Sequence, residues 1–274
     1  MIGQQVLGST PKAPTNDEVA CRACGGALAR AFDAVLLEEV SVTYQRCETC
    51  GSVMLLNPHW LDRAYSKVII PDPDVGALRR TQFVHRFIRR LRGVGILPRR
   101  HRSLDYGCGI GMLVRLERDR GIEAWGYDIY ATPKFAEPFC GRELPAGPFE
   151  LITCIEVLEH TTNPIEVLKS FRSRVNDDGI VLVSTEFVDL QPDAEKWHYL
   201  AKEHGQHITL FSQSGLDRAL ETAGLERVRT WPFESIPLLH LLVPKGARLS
   251  AWKLSQLRLH HWIGEGNFGS DRRV

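Results

Sequence analysis

The chain has 274 residues, 43% of them hydrophobic and 24% charged, with a formal net charge of +1, which suits a soluble globular protein of one domain plus a small attachment. Near-neutrality gives no overall attraction to nucleic acid or to an anionic membrane, and no apolar run approaches the roughly 20 residues of a membrane span. Residues 1–16 lack the apolar stretch of a secretion signal and read as a flexible lead-in, so a cytoplasmic location is the default. The seven cysteines then need a use other than disulfides, because cytosolic thiols stay reduced.

Residues 17–58 supply that use. Cys21-Arg22-Ala23-Cys24-Gly25 and Cys47-Glu48-Thr49-Cys50-Gly51 are two Cys-x-x-Cys-Gly knuckles with 22 residues between them. Each pair can grip one edge of a tetrahedral ion, and the glycine after it leaves backbone N–H groups to point at sulfur. Four soft thiolates at Cys21, Cys24, Cys47 and Cys50 suit structural Zn2+ and leave no open coordination position. A redox role is disfavoured, since one pair would suffice. Between the knuckles, Val35 to Tyr44 is rich in β-branched and aliphatic residues and predicts a short hairpin. The metal serves as a folding staple for a ribbon too small to form its own core.

Residues 59–101 read as a helical linker or lid. Leu78, Phe83, Phe87, Ile88 and Leu91 recur near helical spacing, with nine arginines between Arg79 and Arg102 around them. From residue 102 to 244 strands and helices alternate. Strands are predicted at Arg102–Tyr106, Ala124–Tyr127, Leu151–Ile155 and Ile180–Ser184, with helices at Met112–Arg120, Pro164–Val175 and Ser214–Ala223. Alternation of this kind predicts a doubly wound α/β domain with a mostly parallel sheet covered on both faces. Glu226–Trp231 and Leu238–Val243 suit a hairpin at the sheet edge. Residues 245–274 form a basic, aromatic tail that packs on its own domain, with a membrane surface or a second subunit as the other uses; a homodimer is left open.

The chemistry concentrates after the first strand of this domain. Asp105-x-Gly107-x-Gly109-x-Gly111 follows a strand and opens a helix, where side chains would keep the backbone away from a bound nucleoside. Asp128 comes 23 residues after Asp105, at the end of the next strand, where a carboxylate can accept both ribose hydroxyls. The spacing differs from the Gly-x-Gly-x-x-Gly that cradles a pyrophosphate. An acid beside the loop disfavours a diphosphate and suits the cationic aminoacyl end of S-adenosylmethionine (SAM).

Residues 103–243 thereby resemble the seven-stranded SAM-dependent methyltransferase superfamily. Phe149-Glu150-Leu151-Ile152-Thr153-Cys154-Ile155-Glu156-Val157-Leu158-Glu159-His160 matches its strand-four motif, and Asp178-Gly179-Ile180-Val181-Leu182-Val183-Ser184-Thr185 matches the strand after it. The resemblance implies a Rossmann-like methyltransferase fold. It also implies that Asp105, Gly107 and Gly109 line the methionine end, with Gly111 completing the loop. Asp128 would hold the ribose, Ile129 would lie on the adenine, and Ile155 and Glu156 would sit near the sulfonium. One departure stands out. Only 20 residues separate Asp128 from Phe149, so the intervening helix and strand are shortened and the adenine-side polar contact has no candidate. The ribbon in front is similar to that of bacterial sugar and small-molecule methyltransferases, which implies that Trp60 and Tyr65 cover the cofactor pocket. The chain lacks the long C-terminal domain of the sugar C-methyltransferases, which favours O-methylation.

Methyl transfer to a hydroxyl requires alignment and removal of a proton, and histidine titrates in the right range. His160, His204 and His207 are the candidate bases; each also has a plain packing or capping alternative. The expected acceptor is a small-molecule or glycan hydroxyl in biosynthesis. An RNA methyltransferase is the rival, since the arginines of 79–102 could follow a phosphate backbone. Balancing acids and the missing Asn/Asp-Pro-Pro-aromatic motif make nucleic acid the weaker partner, and a solvated helix face explains the arginines. A non-catalytic SAM-binding scaffold is disfavoured by the intact glycine loop.

Overall fold

The computed structural model describes residues 20–67, 75–233 and 237–257; the lead-in at 1–16 and the tail beyond 257, including Trp262, lie outside them. Strands β1 (Leu28–Leu36) and β2 (Val40–Cys47) pair antiparallel around a turn in which Leu37 and Glu38 adopt positive φ. This is the predicted hairpin, with longer arms. β3 (Val53–Leu55) joins β2. Helices α1 (Leu61–Lys67) and α2 (Val75–Gly93) follow.

The main domain runs through β4 (Arg102–Tyr106), α3 (Met112–Arg118), β5 (Glu123–Tyr127), the two-residue β6 (Cys140–Gly141), β7 (Phe149–Ile155), α4 (Pro164–Arg172) and β8 (Val175–Ser184). It closes with α5 (Gln213–Ala223), β10 (Leu225–Trp231) and β11 (Leu239–Pro244), after a two-residue β9 (Thr209–Leu210) that belongs elsewhere. The seven-stranded sheet has the order β10-β11-β8-β7-β4-β5-β6. β6, β5, β4, β7 and β8 are parallel; in the predicted edge hairpin β11 runs antiparallel to β8, and β10, antiparallel to β11, returns to the direction of the other strands. β6 is the shortened third strand, reached through a single 3-10 turn, Glu137–Phe139, instead of a helix.

Both faces of the sheet are buried because alternate strand residues are apolar in both directions. Ile152, Cys154, Val181 and Val183 meet Leu168 and Phe171 of α4 and Leu216 and Leu220 of α5. Leu151, Ile180 and Leu182 meet Phe83, Phe87, Ile88 and Leu91 of α2. Arg79, Arg86 and Arg89 face solvent on the opposite side of α2, as a solvated face would. Leu78, read as part of the apolar stripe, is exposed instead. The tail packs on its own domain as far as it is described: Leu257 is fully buried, Arg90 donates to the Gln256 carbonyl at 2.7 Å and Lys253 to the Gly95 carbonyl at 2.7 Å, with α6 (Ala251–Ser255) between.

The ribbon is more closely tied to the main domain than its sequence implies. β9, from the segment between β8 and α5, pairs antiparallel with β3 and completes a second sheet of order β1-β2-β3-β9. Arg22 donates to the Ile208 carbonyl, the Trp60 indole to the Gly205 carbonyl at 2.8 Å, and the Leu37 amide to the Lys202 carbonyl. Ser212, the N-cap of α5, hydrogen-bonds both to the Cys50 carbonyl and to Ser52.

Candidate active site

The parallel strands lie side by side in the order β5, β4, β7, and the strand order reverses between β4 and β7: β5 and β6 are added on one side of β4, β7 and β8 on the other. Such a switch point opens a crevice at the carboxyl ends of the strands. A cavity of about 830 Å³ lies there, lined by Gly107 and Gly109 after β4, Asp128 and Ile129 after β5, and Glu156 and His160 after β7.

The glycine loop is shaped as a cradle. Gly107 has φ +77°, and a Cβ there would stand 2.3 Å from Val157, so a side chain is excluded both by conformation and by the β7 loop. The Asp128 carboxylate accepts amide hydrogens from Gly109 at 3.0 Å and from Tyr130 and Ala131 at 2.8 Å. These three bonds fix its orientation and leave acceptor capacity for ligand hydroxyls. A cavity of this size, glycine-floored, with a fixed carboxylate, fits a nucleoside carrying an amino-acid tail.

Three other residues expected at the cofactor do not reach the cavity. Strand alternation turns Asp105 to the α2–α3 face, beside Ile88, Leu113 and Leu151, where it accepts from the Thr153 hydroxyl at 2.6 Å. Burial pushes its carboxyl up to about 7, against the lowering effect of that hydrogen bond. Gly111 caps α3, and its missing Cβ makes room for Cys140 and Ala136. Ile155 packs with the α2-side cluster. Tyr65 does line the cavity and stacks on Tyr130 at 3.7 Å, whereas Trp60 is buried in the ribbon cluster.

The other end of the cavity holds a dense polar group. Glu156, the residue after β7, has φ +57°, a conformation non-glycine residues rarely hold. Its Oε1 accepts from the Ser184 hydroxyl at 2.7 Å. Burial, then the neighbouring Glu159 charge, raises its carboxyl well above the usual range. Glu159, fully buried, accepts from the Tyr199 hydroxyl at 2.5 Å, and burial pushes it up to about 7. The His160 ring lies 4.8 Å from that of His207. Burial, then His207, holds His160 well below its ordinary value. His207 donates from Nδ1 to the Tyr199 carbonyl at 2.5 Å, and burial brings it down to about 4. His204 is a different case: left-handed turns at Ala201 and Gly205 leave it exposed and away from the cavity, which removes it as a candidate base.

Sequence reasoning missed Glu159 and Tyr199. Glu159 sits three residues after Glu156 in a strand-end turn, which could have marked it; Tyr199 carries no local signal. Lys134, Arg142 and Gln206 also line the cavity, and Arg142, just after β6, stands where the adenine-side contact had no candidate.

The four ribbon cysteines converge. Cys21 and Cys50 Sγ are 3.7 Å apart, Cys24 and Cys47 3.5 Å, and all four sulfurs lie within 4.8 Å. Thiolates at about 2.3 Å from a tetrahedral ion stand about 3.8 Å apart, so the group fits one zinc. Gly25 and Gly51 take positive φ, and their own amides return to the Cys21 and Cys47 carbonyls; neighbouring amides are left to point at sulfur, as the Cys50 amide does toward Cys47 Sγ at 3.4 Å.

A family model described as a methyltransferase domain matches residues 77–230. The chain belongs to that methyltransferase-domain family. It is similar to the ubiquinone biosynthesis O-methyltransferase of Acinetobacter baumannii (strain AYE), with 28% identity over 100 residues, 30% of this chain and 42% of that protein. The counterpart in Pseudomonas aeruginosa (strain LESB58) is 27% identical over 119 residues, 37% of this chain and 50% of the other. The chain thus spans half or less of the length of these curated relatives. Among solved structures, the 1,6-didemethyltoxoflavin-N1-methyltransferase of Burkholderia thailandensis superposes with a TM-score of 0.48 and 13% identity, covering 78% of this chain and 99% of that one. No helix among the described residues is long and apolar enough to cross a membrane.

Proposed function

We propose that the protein transfers the methyl group of SAM to a hydroxyl of a small molecule or glycan. The observation that carries this reading is the single cavity with the glycine loop and Asp128 at one side and Glu156 and His160 at the other. Gly107 and Gly109 would admit the methionine portion, Asp128 the ribose hydroxyls, and the stacked Tyr65–Tyr130 pair would close over the site. SAM supplies an electrophilic methyl when bound; the chain's own residues align the acceptor and take up its proton. That proton leaves toward the buried group of Glu156, Glu159, His160 and His207, of which Glu156 and His160 border the cavity. The named activity of the ubiquinone biosynthesis relatives favours oxygen as the acceptor atom.

In this reading residues 17–58 form a zinc ribbon at Cys21, Cys24, Cys47 and Cys50, residues 59–101 cover the site, and residues 102–244 carry catalysis. The test is incubation of the protein with isotopically labelled SAM and extract of the producing cell, followed by mass spectrometry of the labelled product. A labelled ether on a small molecule or glycan is expected. Label confined to RNA, or no transfer with any fraction, would overturn the reading.

A further inference from the structure

We infer that Glu159, His160 and His207 form a binding site for one divalent first-row metal ion at the acceptor side of the cavity, separate from the four cysteines. One donor atom from each of the three residues lies within 4.8 Å of the others. Two nitrogens and one carboxylate oxygen on one side of an ion leave positions open for outside ligands, and the set suits manganese, iron or zinc.

Unused valences carry the argument further than proximity. Glu159 has no exposed surface, and its Oε2 is buried with no hydrogen-bond partner among the described residues. His160 Nε2 is likewise buried and unpartnered. A buried polar atom left unsatisfied is costly, and two of them on adjacent residues of one turn call for a shared occupant. The remaining contacts are those that orient metal ligands. His207 donates Nδ1–H to the Tyr199 carbonyl, which fixes the tautomer and leaves the Nε2 lone pair free. The Tyr199 hydroxyl donates to the other Glu159 oxygen, so one residue orients two of the three ligands.

The site is also held in place from two directions. The Ile208 amide bonds to the Glu159 carbonyl at 3.0 Å, and Thr209 and Leu210 pair with β3 of the ribbon. His207 is therefore fixed against the turn that carries Glu159 and His160.

A general base must reach the acceptor proton directly or through one water, and a buried Nε2 directed among Glu159 and His207 is poorly placed for that. An ion held there would instead take the acceptor oxygen into its open positions. The O–H proton passes to the Glu156 carboxylate, the oxygen lone pair forms the O–CH3 bond, and the S–CH3 bond breaks with its electron pair remaining on sulfur. This role rests on the O-methylation reading; the binding of the ion does not.

The experiment titrates Mn2+ into the full, zinc-loaded chain and follows the free ion by electron paramagnetic resonance, since thiolate sites do not favour manganese. Saturable uptake of one Mn2+ per chain is expected, weakened more than about tenfold in His207→Ala and Glu159→Gln and unchanged in His204→Ala. Circular dichroism checks folding; should His207→Ala not fold, His207→Gln takes its place. Absence of saturable uptake by the folded wild-type chain, or equal uptake by the variants, would overturn the site. Calorimetry with S-adenosylhomocysteine on the same samples separates the two readings, because a chain that takes up Mn2+ but not the nucleoside retains the metal site and loses the methyltransferase reading.

Discussion

The two sides of the cavity are built in opposite ways. The cofactor side comes from one short stretch, β4 to the residues after β5, in which Gly107, Gly109 and Asp128 are joined by the Asp128–Gly109 hydrogen bond. The acceptor side brings together Glu159 and His160 after β7 with Tyr199 and His207 from the segment after β8. Those pieces meet where β9, from the segment between β8 and α5, pairs with β3 of the ribbon. Local sequence thus suffices to shape the proposed nucleoside site, whereas the proposed acceptor site depends on the four-cysteine ribbon far away in sequence.

Disrupting the staple should separate the two sides most sharply. Structural zinc contributes on the order of 10 kcal/mol to small modules, so Cys24→Ser is expected to release the metal and lower turnover more than about 100-fold. Calorimetric affinity for S-adenosylhomocysteine should stay within about threefold, because no ribbon residue supports Gly107 or Asp128. Equal loss of both would mean that the ribbon shapes the cofactor side as well. The converse lesion is Asp128→Asn. Removing a charged hydrogen-bond acceptor costs about 1.5–3 kcal/mol, and the expected result is cofactor affinity roughly 10–100-fold weaker, with the acceptor KM little changed.

A finer division separates the histidines. His207→Ala should lower kcat with little change in cofactor affinity, while His204→Ala should behave as wild type in the same assay. Smaller still is the Tyr65–Tyr130 stack. Aromatic pairs contribute about 0.5–1.5 kcal/mol, so Tyr65→Ala is expected to weaken nucleoside binding by about two- to tenfold by calorimetry. On the cofactor side, Asp105 gives a pH signature. Its carboxyl, raised by burial to about 7 from the ordinary 3.8, contributes stability that is fully present below the unfolded value and lost as pH rises through 7. Glu159 acts with the same sign as Asp105, and the buried histidines His160 and His207, held low, act with the opposite sign; all three are present in wild type and Asp105→Asn alike. The expected signature is therefore a difference: the melting temperature of ligand-free wild type relative to Asp105→Asn should fall by a few degrees between pH 5 and 8.

Much of the main domain was legible in its sequence for the reason the cofactor side is simple. The strands of the parallel sheet are apolar on both faces, and the loop glycines are required by φ and by the nearness of Val157, so local patterns determine them. The Cys-x-x-Cys knuckles read equally plainly, because tetrahedral ligation imposes the spacing. Asp105 was misplaced by a local fact that the motif hides: alternate residues of β4 face opposite sides of the sheet, and its side chain lies behind the loop. The acceptor side was opaque because long-range pairing decides it. Thr209–Leu210 is too short to be read as a strand, and its partner Val53–Leu55 lies more than 150 residues earlier. His204 and His207 look equivalent in sequence, and only the turns at Ala201 and Gly205 separate an exposed ring from one facing His160. Trp60 and Tyr65 differ similarly: one completes the ribbon's core, the other reaches Tyr130.

The most direct measurement is a crystal structure of the full chain with S-adenosylhomocysteine. The account predicts the ribose on Asp128, the methionine tail over Gly107 and Gly109, and the sulfur turned toward Glu156 and His160. A nucleoside bound with its sulfur at the Tyr65–Tyr130 stack, or bound outside this cavity, would contradict it.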